Sequence, residues 1–340
     1  MDSFESLVKD LRNCYWEDYS DIKFNIIKRD LKKTLKKAGK IDYSLFPPTF
    51  RWHLCSSRLS QGKFDNWDGF EFRSDWSITF QGLNGFSLPI PKWTGNKVKK
   101  LVIAAEQGVG DEILYASAIP ELIVRLGYDA LELQCHPRLV PTFERSFRIR
   151  CVPRVNLSKI EGDAVVALAD LFMFYRRDKS HFPKKPFIKA DPIRVSYWKA
   201  ELDKLGRDPK IGIAWKSRHG SIDPERLMQR KEKYPVPGHY INLQYGDKTP
   251  GALDIGPDPL IDLDDHINFV AALDAVISVT QTVVHEAGSV GTPCIAIKPP
   301  KGTGEVDCGL WYYGLGGPHL IYGNVDVFNS IEEYEHESPK

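Results

Sequence analysis

From residue 99 onward, short apolar runs alternate with segments whose apolar residues recur three or four apart. The runs 100–105, 130–135, 149–153 and 164–168 read as buried strands. After the first of them, Ile113, Leu114, Ala118 and Leu122 fall on one face of a helix. The loop "FPKKPFIKADP" at 182–192 leads out of this series, and "RVSYWKAELDKLG" reads as an amphipathic helix stopped by Gly206. A second series starts at "PKIGIAWKS", with strands at 210–215, 239–243, 275–279 and 293–298 and helices in "LDDHINFVAALD" and "TVVHEAGSVG". Two successive strand–helix series predict an α/β fold with two parallel-sheet domains facing each other across a cleft.

Ahead of these series the pattern changes twice. In "FNIIKRDLKKTLKKAGK", Phe24, Ile27, Leu31, Leu35 and Ala38 share one helical face, with lysines opposite and Gly39 as the cap. This reads as a solvated helix packed on a neighbour; the face is narrow and lacks Trp, which makes a membrane-surface helix the weaker alternative. Residues 61–98, from "FDNWDGFEFRSDW" to "FSLPIPKWTG", are rich in aromatics, Gly and Pro and read as an irregular connector that wraps the next domain. The expected division is a helical extension at 1–60, an N-terminal domain at 61–205, a C-terminal domain at 206–325 and a tail at 326–340.

Composition narrows the class. A chain of 340 residues holds about two ordinary domains. At 42% hydrophobic and 27% charged it is globular in character. Lys plus Arg is 46 against 45 for Asp plus Glu, which gives no electrostatic argument for a nucleic-acid partner. The N-terminus is acidic without an apolar h-region, and no apolar stretch approaches the length of a membrane span. The cysteines at 14, 55, 135, 151, 294 and 308 form no CxxC pair. A cytoplasmic protein with reduced thiols is the expectation, with peripheral membrane contact left open.

The turn "EQGVGDEI" has the look of a phosphate cradle but fails as a dinucleotide fingerprint. Ile113 stands where the third glycine of G-x-G-x-x-G belongs, and the following strand ends in Cys135-His136-Pro137 rather than in an acid. What remains is a turn of Gly108 and Gly110 that presents Asp111, followed by Glu112, near a helix N-terminus, where capping alone explains an Asp. In "IGIAWKSRHGS" a strand delivers Lys216 and Arg218 to its carboxyl end, where open α/β sheets bind ligands. Two cations there suit a phosphate, and two ordinary surface cations are the even alternative. In "AVISVTQTVVHEAGSVGTP" a strand runs into Thr280-Gln281-Thr282 and a helix whose first turn offers free N–H groups, hydroxyls and a positive dipole end, a ready anion site. His285, one turn further, reads on its own as a core histidine. The pairs Cys135-His136 and His285-Glu286 are adjacent and point apart, so no metal site is expected. G-x-S-x-G and Walker-lysine signatures are absent.

The ordered set "WDGFEFR", "EQGVGDEILYASAIPEL", "IGIAWKS", "INLQYGD", "DHINFVAALDAVISVTQTVVHEAGSVGTPCIAI" and "LWYYG" resembles bacterial glycosyltransferases of the heptosyltransferase-like group, in particular the catalytic region found downstream of tetratricopeptide repeats. The resemblance covers roughly residues 60 to 325, and the N-terminal helices resemble a remnant of such repeats. It implies a GT-B architecture of two Rossmann-like domains, the N-terminal one receiving the acceptor and the C-terminal one the nucleotide-sugar. It implies Asp111 as general base, with Gly108, Gly110 and Glu112 in the acceptor-side loop, and Lys216 on the donor phosphate. The segment Ser278, Val279, Thr280, Gln281 and His285 would hold the donor diphosphate and sugar. Thr280-Gln281 replaces the family's Asp-Thr, and "TGEVDCGLWYYG" keeps Trp311 and Tyr312 but not the Arg of the family pattern.

The resulting expectation is metal-independent, inverting transfer of a sugar from a nucleotide-diphosphate-sugar to a hydroxyl of a glycan, lipid-linked or protein acceptor, with no separate cofactor. Lys216, Arg218 and Thr280 to His285 would carry the phosphates, Gln244 and Tyr245 the base or ribose, and the segment near 190–206 the hinge. The alternatives are an inactive nucleotide-sugar-binding or scaffold protein, which the altered Thr280-Gln281 motivates, and a nucleotide-sugar epimerase, which needs further carboxylates in the cleft.

Overall fold

The computed structural model describes residues 48–73, 80, 85–218, 220–228, 238–300, 312–314 and 316–336. The helix expected at 24–40, most of the 1–60 extension, Trp311, Cys14 and Cys308 lie outside the described residues. From the extension, helix α1 (Pro48–Ser60) is described.

The first strand–helix series forms a parallel sheet of β1 (Leu101–Ala104), β2 (Leu131–Cys135), β3 (Arg150–Pro153) and β4 (Ala164–Ala167) in the order β3-β2-β1-β4. Strands β1, β2 and β4 are buried at every residue; β1 and β4 read in sequence as continuous apolar runs, whereas β2 alternates Leu131, Leu133 and Cys135 with the buried polar residues Glu132 and Gln134. Helices α2 (Val109–Tyr115), α3 (Ile119–Leu126), α4 (Val140–Phe147) and α5 (Leu171–Tyr175) accompany it. Helix α6 (Pro192–Asp203) follows the loop out of the series; the Asp191 carboxylate accepts from Ile193 N–H at 2.8 Å, and Pro192 occupies the position where a missing N–H costs nothing.

The second series forms a larger sheet. It contains β5 (Lys210–Ala214), then a small hairpin of β6 (Lys216–Ser217) and β7 (Gly220–Ser221), helix α7 (Pro224–Met228), β8 (His239–Asn242), helix α8 (Leu263–Val270), β9 (Ala275–Val279), helix α9 (Thr282–Val290) and β10 (Cys294–Ile297). Beyond these come β11 (Gly317–Pro318), β12 (Val325–Phe328) and α10 (Ile331–His336). The sheet order is β11-β12-β10-β9-β5-β8, parallel except for β11. Regular structure therefore continues past residue 325, where a tail was expected: β12 pairs with β10 and its inward Val325 and Val327 are 1% exposed.

The two sheets share one continuous apolar core, joined where α2 packs against α9. Further ties run between the series. Thr142 and Arg145 on α4 both bond Asp264 on α8, with Arg145 Nη1 to Asp264 Oδ2 at 3.0 Å, and Arg138 bonds the Pro259 carbonyl. Arg194 on α6 holds Asp265 on α8 with two bonds of 2.8 and 2.6 Å.

The aromatic connector behaves as expected of an irregular wrap. Phe64, Trp67, Phe70 and Phe72 are buried, and the Trp67 indole donates to the Arg176 carbonyl at 2.9 Å. Its last described residue before 80 is Arg73, which enters the crevice where the strand order reverses, between the carboxyl ends of β1 and β4. Its guanidinium bonds Glu106 just past β1 at 2.7 Å and Asp170 just past β4 at 2.6 Å, while lying 4.6 Å from the Phe70 ring centre. The Arg73 and Glu106 side chains are each 1% exposed. Arg73→Ala would take the guanidinium away from two buried carboxylates, at an expected cost of about 3–5 kcal/mol. Urea unfolding should show a lower midpoint at unchanged slope; a wild-type midpoint would show that the acids do not depend on this cation.

Candidate functional site

The carboxyl ends of β1, β5, β8 and β9 carry nearly all the residues singled out in the sequence. After β1 the chain turns through Gln107, which has φ 62°, a conformation a non-glycine residue adopts at a cost and that clusters at functional sites. The Gln107 carbonyl accepts from Arg154 at 3.3 Å. Helix α2 then begins, and the Asp111 carboxylate in its first turn accepts from Gly108 N–H at 3.2 Å. The capping role read from sequence is thus present. Asp111 is half-buried, whereas Glu112 is fully buried and faces inward. Glu112 accepts from His136 N–H at 2.8 Å and lies 3.2 Å from Arg154, so it anchors the turn from beneath. Burial pushes its carboxyl up to about 7, against the opposing pull of the His136 N–H and Arg154.

Helix α9 opens immediately opposite. A Cβ placed on Gly110 would lie 3.0 Å from His285 Cδ2 and 3.1 Å from Thr282 Oγ1, so the first turns of α2 and α9 touch through the missing side chain. Gln281 occupies the N-cap position of α9 without a side-chain cap bond. Thr280 Oγ1 and both polar atoms of the Gln281 amide are buried without a hydrogen-bond partner among the described residues. A buried polar atom left unpaired costs about 1–3 kcal/mol, so such a cluster at a helix N-terminus marks a place where a polar ligand is favoured.

His285 is a core histidine, as read from sequence. It is 3% exposed, with Nδ1 3.2 Å from the Tyr322 hydroxyl and Nε2 3.5 Å from that of Tyr313. Tyr312 and His319 complete the surrounding rings. Burial lowers the imidazole from 6.5 to about 3, which keeps the ring neutral.

In the second sheet the order reverses between β5 and β9. The register pairs Ala214 with Ser278, so Lys216, two residues past the end of β5, and Thr280, one residue past the end of β9, leave adjacent strand ends side by side. Gln244, just past β8, accepts from both Trp215 N–H at 3.1 Å and Lys216 N–H at 2.9 Å and so fixes the end of β5. Beside it lies a cavity of ≈ 320 Å³ whose lining includes Gln244, Tyr245, Asp247, Asp258 and His266. Lys216 Nζ meets Asp247 at 3.0 Å on its rim. Arg218 is exposed in the β6–β7 turn, which Gly220 packs against Pro299 and Pro300.

The fold therefore gathers Gly108, Gly110, Asp111, Thr282 and His285 at the α2–α9 contact. It sets Thr280 and Gln281 beside the end of β5, and Lys216, Gln244 and Tyr245 around the cavity. Sequence reading missed Arg73, Arg154, Asp247 and the buried pair of His266 with Glu286, whose members stand 20 residues apart with no spacing signature. Among the described residues no group of three metal-ligating side chains gathers. Cys55, Cys135, Cys151 and Cys294 are free and buried. No described helix is long and apolar enough to cross a membrane.

No family model matches the chain. It is 34% identical over 278 residues to Protein FlbA of Caulobacter vibrioides (strain ATCC 19089 / CIP 103742 / CB 15), an alignment covering 71% of this chain and 45% of that protein. The chain thus spans less than half the length of this curated relative. Among solved structures, it resembles the glycosyl transferase family 9 protein from Veillonella parvula DSM 2008 with a TM-score of 0.50 at 12% identity, over 68% of this chain and 88% of that one. E. coli ADP-heptose lps heptosyltransferase II gives a TM-score of 0.44 at 12% identity, over 67% and 90% of the two chains. At these identities the likeness to the Veillonella protein is one of fold: α/β with parallel sheets.

The buried imidazole makes stability depend on pH. The unfolded chain protonates His285 near 6.5 while the native state resists until about 3, so the unfolded state binds the extra proton in between and stability falls as pH drops through that window. At pH 5 this amounts to about 2 kcal/mol. Glu112, raised from 4.5 to about 7, has the opposite sign and loses stability as pH rises through its own window. His285→Phe removes only the first effect. Between pH 7 and pH 5 the variant should therefore lose about 2 kcal/mol less than wild type in urea titrations, and equal losses would refute the burial argument.

Proposed function

We propose that the chain transfers a sugar from a nucleotide-sugar to a hydroxyl acceptor, with inversion and without a metal. The observation that carries this reading is the approach of Gly110 to Thr282 and His285, which sets the carboxylate-bearing turn against the helix start with unpaired polar atoms. The shared fold with a family 9 glycosyl transferase supports it at the level of architecture. In this reading residues 61–205 receive the acceptor and 206–325 the donor, the latter continuing into β12.

Asp111 is the general base: its carboxylate takes the proton from the acceptor hydroxyl as that oxygen attacks the anomeric carbon from the face opposite the leaving phosphate. A positioned base contributes about 10²–10⁴-fold. The leaving phosphate is stabilised by Lys216, by the amides at the start of α9 and by the Thr280 and Gln281 side chains, donors that are in place before charge develops. The nucleoside occupies the cavity beside Gln244 and Tyr245. Arg218, in its exposed turn, has a secondary role at most in this arrangement.

Nucleoside mono- and diphosphates and their sugars, screened by thermal shift, should identify a stabilising nucleotide. With the nucleotide-sugar that stabilises most, Asp111→Asn should keep nucleotide affinity but lose about 10²–10⁴-fold in nucleotide release; wild-type turnover would remove the base role. Lys216→Ala should weaken nucleotide binding about 10-fold or more, the loss of one charged hydrogen bond. Unchanged affinity by calorimetry would remove its phosphate role.

A further inference from the structure

We propose that His266 reads the nucleoside of the donor and that Glu286 is the positioning residue that fixes its tautomer. The inference rests on the reading of the cavity beside β8 as the nucleotide site. His266 lies in the first turn of α8, is 1% exposed, and has a ring edge in the cavity wall. Its Nδ1 lies 2.6 Å from Glu286 Oε2 on α9, and the two side chains are 2% and 1% exposed. Its other ring nitrogen has no partner among the described residues.

Isolating a carboxylate and an imidazole from water is costly, and two apolar side chains of similar volume would pack as well. What the pair adds is direction. When the ring carries a single proton, a carboxylate that accepts it at Nδ1 leaves Nε2 with its lone pair, a hydrogen-bond acceptor of fixed position.

The other acceptors of the wall are either already engaged or belong to the exposed carboxylates Asp247, Asp254 and Asp258, which water reaches. Gln244 Oε1 is taken by the Trp215 and Lys216 N–H groups, and Asn242 Oδ1 by Gln244 N–H and the Thr249 hydroxyl. Asp258 caps Leu260 N–H, and Asp247 pairs with Lys216. The buried acceptor left facing the cavity is His266. Tyr245, 45% exposed at the rim, offers an aromatic face. The ligand this suits is a planar nucleoside presenting an N–H or O–H donor, from the base edge or the ribose. Glu286 is also the neighbour of His285 on α9, so one helix carries both the tautomer-fixing carboxylate and the proposed phosphate-binding turn.

The test is calorimetric titration of the four ribonucleoside 5′-monophosphates and diphosphates, and of the 2′- and 3′-deoxy forms of the tightest binder. The proteins are wild type, His266→Phe, Glu286→Gln and Glu286→Leu. Wild type should prefer one nucleoside. His266→Phe should weaken that one about 10-fold and either flatten the preference among bases, which assigns the ring to the base, or erase the penalty for a deoxy form, which assigns it to the ribose. Glu286→Gln keeps an oxygen on Nδ1 and should retain the preference; Glu286→Leu should behave like His266→Phe. A wild type that binds with unchanged affinities and preferences in His266→Phe and Glu286→Leu overturns the inference and leaves the nucleotide reading intact. A wild type that binds none of these nucleotides sinks the nucleotide reading and this inference with it. Should the variants fail to fold, ¹⁵N-histidine spectra of the unmutated protein decide: saturating nucleotide should move the His266 Nε2 resonance, and an unmoved resonance overturns the proposal.

Discussion

At residue 110 the first turn of α2 runs against the first turn of α9 so closely that no side chain fits without displacing Thr282 or His285. This contact joins the two strand–helix series. Each sheet sends its ligand-binding edge toward the ends of its own strands, and the glycine lets those edges meet. Asp111, one residue on, inherits its position from that approach, as do Thr282 and His285 from the other side. Close packing makes the arrangement discrete, because interiors at crystal-like density have few intermediate positions.

Buried ionic groups hold the loops that this contact brings together. Arg73 ties the exits of β1 and β4, while Arg154 reaches both Glu112 and the Gln107 carbonyl. Neither network is needed to bury apolar surface, and each costs desolvation. Their common effect is to pin the turn that leads into α2, including the positive φ of Gln107, from two directions.

The covered strands β1, β4, β5 and β9 were legible because a fully covered strand leaves a mostly apolar run, while β2, β3 and β8 carry polar residues and were read from their place in the alternation of strand and helix. All eight expected runs became strands, with edges trimmed by a residue or so. Helix α6 was legible in "RVSYWKAELDKLG" and its stop at Gly206, while its start at Pro192 under the Asp191 cap falls within the segment that reads as the preceding loop; the aromatic connector was legible through its composition. β12 escaped because four residues in "VDVF" are too few to show a period. The placement of candidate residues was legible where it follows from position past a strand end, as for Asp111, Lys216 and the turn at 280–282. It was illegible where a residue acts through partners distant in sequence. Arg73 closes the motif "WDGFEFR", but the acids it meets are 33 and 97 residues away, and the motif gives no sign of them. Glu112 was taken with the acceptor-side loop on adjacency alone; helical geometry turns it about 100° from Asp111, into the protein.

The fastening of α8 by α4 and α6 bears on how such a molecule can breathe. Asp264 is gripped by Thr142 and Arg145, and Asp265 by Arg194, within the 190–206 segment where bending was expected. A wholesale clam-like swing would have to release all of these at once. Displacement of the 245–258 loop, which borders the cavity, breaks none of them. The Arg194–Asp265 pair is partly exposed, so dissolved ions screen it. Added salt therefore loosens this tie of α6 to α8 first, while the Thr142 hydroxyl bond to Asp264, which carries no net charge on the donor, is the less sensitive one.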